Sequence, residues 1–145
     1  MSTISDVLNR KGANVLTINS EASVYEAIAT MSDANIGALV IEEGGKAVGI
    51  FTERDYMRKI VLKGRSSRET LLKDVMSSPL ITVDPSESNQ VGMETMTECR
   101  CRHLVVIDGD ENMVGIVSLG DLVKFMLQEK EAEVEQLSQY IAGSY

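Results

Sequence analysis

The chain has 145 residues, 43% of them hydrophobic, and a formal net charge of −8. This length and apolar content predict one compact body, or two half-size units that share a core. The acidic balance disfavours duplex nucleic acid as a partner. No apolar run reaches the ~18 residues of a membrane span, and the N-terminus lacks the basic and apolar regions of a secretory signal, so we expect no membrane partner.

The first half predicts a short helix followed by a strand–helix–strand–strand–helix unit. A capping box at Ser23–Glu26 marks the start of one helix, because apolar residues follow it at helical spacing. The pair Gly44-Gly45 turns the chain between two apolar strands. The predicted elements are helix 4–10, strand 16–18, a helix from 23, strands 36–41 and 47–51, helix 55–62, and a polar connector 65–73.

The second half repeats this order. Val114–Asp121 echoes Val48–Asp55 at a separation of 66 residues, whereas the preceding elements match at 65 because one hairpin connector is a residue longer. Asp6-Val7-Leu8 and Asp74-Val75-Met76 form a matching pair ahead of each unit. The predicted elements are strand 80–83, helix 88–97, strands 103–107 and 114–117, and a helix from 119. A fixed internal period indicates a duplicated unit.

We therefore divide the chain into a first repeat with its lead-in helix, 1–65, a second repeat, 66–128, and a C-terminal acidic helix and tail, 129–145. The charges of residues 128–137 predict a solvated helix or a protruding arm. The last segment, 139–145, is apolar enough to dock against some surface.

Each repeat carries a hydroxyl residue and an aspartate three positions later, Thr52 with Asp55 and Ser118 with Asp121. This spacing is typical of helix capping, which is the simpler interpretation. A carboxylate at a strand-to-helix turn can also accept hydrogen bonds from ribose hydroxyls, and the hydroxyl and N–H groups of a helix start favour an anion. The same residues could serve both purposes.

Basic residues near the two motifs are candidate phosphate partners, because guanidinium groups match phosphate oxygens. They are Arg54 in the first motif, and Arg100, Arg102 and His103 in the second repeat. The alternative is that they are ordinary surface charges. His103 is the single histidine, so a histidine-based metal site is not expected. No nucleophile–base pair is evident, so the sequence does not predict an enzyme.

Cys99 and Cys101 lie two positions apart. This spacing is poor for a structural disulfide, so we expect a half-buried pair of thiols in a reducing cytoplasm. A redox or metal-capturing role is the alternative.

Gly49-Ile-Phe-Thr-x-x-Asp55 and Gly115-Ile-Val-Ser-x-x-Asp121, in register over two full units, resemble the motifs of a tandem pair of CBS domains, the Bateman module. The resemblance covers about residues 6–127, so the chain is similar to stand-alone CBS-pair proteins. It implies an α/β (α+β) fold of two pseudo-symmetric β-α-β-β-α repeats, packed sheet to sheet as one module.

The resemblance also implies two clefts that bind an adenosyl ligand: AMP, ADP, ATP, NAD or S-adenosylmethionine. Asp55 and Asp121 would hold ribose, and Thr52 and Ser118 would hold phosphate or ribose. The implied ligand-binding residues are Thr17, Ile36, Gly37, Ala38, Thr52, Arg54, Asp55, Leu80, Ile81, Thr82, Arg102, His103, Ser118 and Asp121. The second motif has Leu119-Gly120 where the first has Glu53-Arg54, so the two sites should differ in affinity.

The function that these features favour is a non-catalytic adenine-nucleotide sensor that modulates an unknown partner protein. Family resemblance and the apolar helix faces of each unit predict a homodimer. The alternatives are a constitutive dimeric scaffold with vestigial clefts and a redox regulator that uses Cys99 and Cys101.

Overall fold

The computed structural model describes residues 2–143, which form two compact units. The first-repeat unit contains residues 14–82, and the second-repeat unit contains residues 2–13 together with 83–143. Each unit has a three-stranded sheet with accompanying helices. The predicted mixed α and β fold with a duplicated order of elements is therefore confirmed.

The first-repeat unit is built on the sheet order β1-β2-β3, in which β1 runs parallel and β3 antiparallel to β2. Its hydrophobic core lies between this sheet and the helices, with Phe51, Leu39 and Ile60 almost fully buried. The elements are β1 Thr17–Asn19, α2 Val24–Ala34, β2 Ala38–Glu43, β3 Lys46–Thr52, α3 Glu53–Asp55, a π-helix Tyr56–Val61 and α4 Leu72–Val75. The predicted capping box of α2 is present, with mutual hydrogen bonds between Ser23 and Glu26.

The second-repeat unit has the matching sheet order β4-β5-β6, with β5 and β6 antiparallel. Leu104, Val117 and Leu122 are completely buried in its core. The elements are α1 Ile4–Lys11, β4 Thr82–Val83, α5 Asn89–Cys99, β5 His103–Ile107, β6 Met113–Ser118 and α6 Leu119–Gly143. None of the described helices combines the length and apolar character needed to cross a membrane.

The two lead-in helices are exchanged between the repeats. The sequence repeat placed α1 with the first repeat, whereas in the structure α1 packs in the second-repeat unit through Ile4, Val7 and Leu8, all buried. In the same way α4 packs in the first-repeat unit, where Leu72 and Val75 join its core. The apolar face of each short helix therefore packs in the other repeat's unit, and not in the unit formed by the residues that follow it in the sequence.

The glycine of each motif strand makes room for the exchanged helix. A Cβ on Gly115 would lie 2.6 Å from Leu8 Cδ2, and a Cβ on Gly49 would lie 2.6 Å from Met76 Sδ. Leu8 and Met76 are the matched residues of the two lead-in segments. The repeated Gly-Ile pair therefore has a packing role in both units, because a larger residue would collide with the lead-in segment.

The ends of the chain's longer helices differ from the prediction. The helix that follows the first motif changes to π-helical pairing at Tyr56–Val61. Helix α6 continues without interruption to Gly143, and residues 130–142 are all exposed. The docking expected of residues 139–145 stays a prediction, because residues 139–142 are exposed and residues 144 and 145 lie outside the described part of the chain.

Candidate functional site

Both repeated motifs are helix caps. In the first, Thr52 Oγ1 accepts a hydrogen bond from the Asp55 N–H at 3.1 Å, and Asp55 Oδ2 accepts one from the Thr52 N–H at 3.1 Å. In the second, Ser118 Oγ accepts from the Asp121 N–H at 3.0 Å, and Asp121 Oδ2 accepts from the Ser118 N–H at 2.8 Å. The capping interpretation is confirmed, and each cap uses only one carboxylate oxygen.

The two motif caps differ in location from the other helix caps of the chain. The same reciprocal box joins Thr3 to Asp6 at the start of α1, where no motif strand precedes it. The motif caps instead close β3 and β6, and each is bonded to the neighbouring strand: the Glu53 N–H donates to Gly37 O at 3.1 Å, and the Leu119 N–H donates to Arg102 O at 2.8 Å.

Register brings four more of the predicted residues to the motifs. Ala38 pairs with Thr52, and His103 pairs with Ser118, across the antiparallel ladders of the two sheets. Gly37 and Arg102 immediately precede these strands. The structure therefore groups the motif with the start of the adjacent strand in each unit.

The Asp55 carboxylate is enclosed by donors. Its side chain is only 11% exposed, and Oδ1 accepts a hydrogen bond from Ser77 Oγ at 3.0 Å and faces Lys59 Nζ at 3.3 Å. Lys59 is itself held by Val75 O at 2.8 Å. Both oxygens of Asp55 are therefore occupied, and a ribose hydroxyl would have to displace one of these donors.

The Asp121 carboxylate is more accessible. Its side chain is 27% exposed, and Lys11 Nζ lies 2.6 Å from Oδ2 while also donating to Ile116 O at 2.9 Å. No described residue donates to Oδ1 of Asp121. Partial burial favours a higher pKa for Asp121, but the hydrogen bonds from Lys11 and Ser118 and the charge of Lys11 outweigh it and lower the pKa below its usual value.

Sequence reasoning missed both lysines. Lys59 lies four residues after Asp55 on the same helical segment, so an i to i+4 ion pair was available as a local signal. Lys11 is 110 residues from Asp121 and had no local signal. Only the matching lead-in segments, Asp6–Leu8 and Asp74–Met76, indicated that this region belongs with the motifs.

A cavity of about 440 Å³ lies beside the first motif. Ile36 and Gly37, both predicted ligand contacts, form part of its wall. The volume is within the range of small-molecule sites. The residues that line it are Ile28, Met31, Ser32, Asn35, Ile36, Gly37, Glu53 and Tyr56.

The remaining predicted contacts are more dispersed. Thr17 is exposed at the first residue of β1, and Arg54 and Arg102 are exposed at the motif ends. Residues 80–82 lie where the chain passes from one unit to the other, and Thr82 begins β4. His103 is half-buried on β5. Their contact with a ligand stays a prediction.

Cys99 and Cys101 form a disulfide, so the expectation of a half-buried pair of thiols is wrong. Arg100 between them caps α5 in the left-handed conformation, with φ 55° and ψ 38°, and this brings the two Cα atoms to 5.4 Å. That separation lies inside the ordinary disulfide range. The argument for a reducing compartment therefore loses its basis. Within residues 2–143 no cluster of metal-ligating side chains occurs.

The two units share one sheet topology, and in each a hydroxyl–x–x–Asp cap follows a strand that contains a glycine, so the fold is a duplicated module. The family model described as CBS domain matches residues 4–62 and 72–128. The chain belongs to the CBS-domain family and carries a tandem CBS pair.

Relatives from plants and bacteria match over almost the whole chain. The CBS domain-containing protein CBSX3, mitochondrial, of Arabidopsis thaliana is 41% identical over 153 residues, covering 99% of this chain and 74% of the relative. YhcV of Bacillus subtilis is 31% identical over 144 residues, covering 99% and 92%. A solved protein with CBS domains from Burkholderia ambifaria superposes with a TM-score of 0.84 at 40% identity, covering 88% of this chain and 95% of that one.

Proposed function

We propose that this protein is a non-catalytic regulatory module that binds an adenine nucleotide, AMP, ADP, ATP or NAD, and thereby modulates a partner protein. The observation that supports it is the Asp121 turn beside a helix start, where the bonds from Lys11 and the Ser118 N–H both fall on the same carboxylate oxygen, Oδ2. S-adenosylmethionine is the other adenosyl ligand of the same chemistry.

At this turn the ribose would donate from its hydroxyls to Oδ1 of Asp121. The phosphates would lie toward Ser118 and the start of α6, where the positive end of the helix dipole favours an anion. Lys11 of α1 contacts the turn, Arg102 immediately precedes β5 and accepts a backbone hydrogen bond from Leu119, and His103 pairs with Ser118 in the sheet register. In a chain of net charge −8 this local cluster of basic side chains is the part that suits a phosphate.

The first-repeat unit offers a second, weaker site. Asp55 already accepts a hydrogen bond from Ser77 and faces Lys59. A ribose hydroxyl that binds Asp55 would have to displace one of these groups, and the loss of that interaction weakens nucleotide binding. The cavity beside Ile36 and Gly37 would hold the adenine ring, and Arg54 the phosphates. We expect unequal affinities, with the Asp121 site filled first.

Isothermal calorimetry with AMP, ADP, ATP, NAD and adenosine tests this proposal. We expect Asp121→Asn to weaken the tighter binding event roughly tenfold, about the value of one or two charge-assisted hydrogen bonds. Asp55→Asn should leave that event intact. Asp6→Asn is the matched control, because it alters a capping box of the same geometry on α1, away from any motif strand.

Two results would contradict the proposal. One is the absence of heat with all five ligands, together with a protein that copurifies without a nucleotide by mass spectrometry. The other is equal loss of affinity in Asp121→Asn and Asp6→Asn, because the carboxylate would then act through the fold and not through the ligand.

The two alternative functions predict different experimental results. A scaffold with vestigial clefts would keep its partner and its oligomeric state whatever the nucleotide. A redox regulator is favoured by the Cys99–Cys101 disulfide, because Cys99 is exposed. In that case the Cys99→Ser, Cys101→Ser variant would lose regulation while its nucleotide titrations stayed normal. A cytoplasmic location and a homodimer stay predictions.

A further inference from the structure

The first-repeat unit contains a basic segment in a chain that is acidic as a whole. Residues 54–73 hold seven of the chain's 14 lysines and arginines but only two acidic residues, whereas the whole chain has a net charge of −8. A local excess of positive charge raises the concentration of anions near it. This segment is therefore a second region of the protein where an anion is favoured.

Part of the basic segment lines a cavity of about 460 Å³ in the first-repeat unit. Three cations and one carboxylate converge on it, and none of its residues lines the cavity beside Gly37. The volume is within the range of small-molecule sites, so a small anion fits it better than a macromolecule. This site is called the basic cavity below, and its lining residues are Lys59, Lys63, Arg65, Asp74, Val75 and Met76.

The three cations of the basic cavity differ in how they are held. The Lys59 ammonium donates to Val75 O at 2.8 Å and lies 3.3 Å from Asp55 Oδ1, so its position on the wall is fixed. Lys63 and Arg65 are exposed. Among the residues that the structure describes, neither of them takes part in an ion pair. Their charges are therefore available to a ligand.

Capping of the preceding helix does not account for Lys63 and Arg65. Cations near a helix C-terminus often complement the helix dipole and its last carbonyl groups. Here backbone groups already satisfy two of these carbonyls. The Arg65 N–H donates to Ile60 O at 3.0 Å. The Gly64 N–H donates to Val61 O at 3.2 Å, and Gly64 has a left-handed φ of 64°. The two basic side chains are therefore not needed to close the turn.

The second repeat provides an internal comparison, because it has none of the three cations at the corresponding positions. At the separation of 66 residues that relates the two motifs, these positions are occupied by Phe125, Glu129 and Glu131. Phe125 is a core residue with 7% exposure. The repeat fold and its motif therefore do not require the cations, which are a property of the first repeat alone.

We propose that the basic cavity binds a diphosphate group, either as the free ion or as the terminal part of a larger phosphorylated molecule. Guanidinium and ammonium groups suit phosphate oxygens, and a diphosphate has enough separate oxygens to contact all three cations. Asp74 repels an anion and limits the affinity. The proposal goes beyond nucleotide binding at the motif turns, because it uses neither a ribose nor an adenine contact.

Calorimetric titration of the full chain with inorganic pyrophosphate, to about 5 mM and at constant ionic strength, tests the proposal. We expect Lys63→Gln and Arg65→Gln each to raise the dissociation constant at least about fivefold, because each variant loses a charge-assisted hydrogen bond at an exposed site. Asp74→Asn should lower the constant, because it removes a like charge from the cavity wall. These three residues are exposed, so the variants should fold normally.

Arg58→Gln is the matched control for these variants. Arg58 is exposed on the same helical segment as Lys59 but does not line the basic cavity. Its replacement removes the same charge as Arg65→Gln. We expect it to change the dissociation constant by less than about twofold, because only the general attraction between protein and anion is reduced.

Nuclear magnetic resonance of the amide groups locates the pyrophosphate. The amides of Gly64, Arg65 and Val75 should shift during the titration, whereas those of Ser118 and Leu119 should not. Titrations with ATP and AMP distinguish the two sources of the diphosphate. If the terminal phosphates of a nucleotide bind here, Arg65→Gln weakens ATP as it weakens pyrophosphate and leaves AMP unchanged. If the site takes only the free ion, the affinities for both nucleotides stay unchanged.

Three results would overturn the proposal. One is a titration in which neither heat nor amide shifts appear up to the highest pyrophosphate concentration. Another is equal weakening by Arg58→Gln and Arg65→Gln, because the anion would then respond only to net charge. The third is a set of shifts confined to the Ser118 turn. Failure of nucleotide binding would be recognised separately, because pyrophosphate binding does not depend on ribose or adenine.

Discussion

Replacing Gly115 with alanine tests the packing of the exchanged helix α1 against β6. The new Cβ would lie 2.6 Å from Leu8 Cδ2 and 3.0 Å from Leu8 Cδ1. Leu8 is 6% exposed, so its side chain has little free space into which it can turn. Overpacking of this kind costs about 1–3 kcal/mol, and replacing a strand glycine returns about 0.5–1 kcal/mol, so we expect a net loss of up to about 2.5 kcal/mol.

The corresponding substitution in the first-repeat unit, Gly49→Ala, should lower the free energy of unfolding by at least as much. A Cβ on Gly49 would meet Met76 Sδ at 2.6 Å and the backbone oxygen of Ser77 at 3.0 Å. The methionine can turn away, but the carbonyl cannot move without the chain. Gly109→Ala is the control, because no atom lies within 4 Å of its added methyl group.

Urea unfolding followed by circular dichroism measures these differences. A double-mutant cycle sharpens the result: in a Leu8→Ala background, Gly115→Ala should become nearly neutral, because the colliding atoms are gone. If Gly115→Ala and Gly109→Ala shift the free energy of unfolding by the same small amount, α1 does not pack against this strand as described.

Two further predictions concern the charged groups of the motifs. Lys11→Met should destabilise the protein at neutral pH, and the difference from wild type should vanish as the pH falls through the lowered pKa of Asp121. The sign follows because a carboxyl with a lowered folded-state pKa stabilises the fold above its unfolded pKa and loses that contribution on protonation; a gap that stays constant to low pH would contradict it. ATP, ADP and NAD should bind better than adenosine, by a margin that shrinks with salt and with Arg54→Ala, and that Arg54→Lys restores only in part. Equal affinities at low salt in calorimetry would show that these basic residues are only surface charges.

Local signals predicted the elements well, because they depend on neighbours in the sequence. The capping box at Ser23, the apolar run of β2 and the hairpin at Gly44-Gly45 each specify their structure within a few residues. The hydroxyl–x–x–Asp caps belong to the same class. Their proximity to Gly37 and Arg102 followed from pairing the predicted strands.

Contacts between distant residues were not predictable in this way. Lys11 reaches Asp121 only because α1 crosses to the second-repeat unit, and no pattern within the helix specifies that crossing. The disulfide of Cys99 and Cys101 depends on the left-handed conformation of Arg100, a state that an arginine seldom adopts. Neither the Lys11–Asp121 contact nor the disulfide can be predicted from composition or residue spacing.

The exchange of lead-in helices separates the order of synthesis from the order of assembly. Residues 14–82 are contiguous, so the first-repeat unit can close as soon as α4, which completes its core, has left the ribosome. Helix α1 is made first, yet its place lies among residues such as Leu104, Val117 and Leu122, which are made near the end. Until then Ile4, Val7 and Leu8 have no core to join. The earliest residues of the chain are thus among the last to fold, and a tag or truncation at the N-terminus acts on the unit encoded farthest from it.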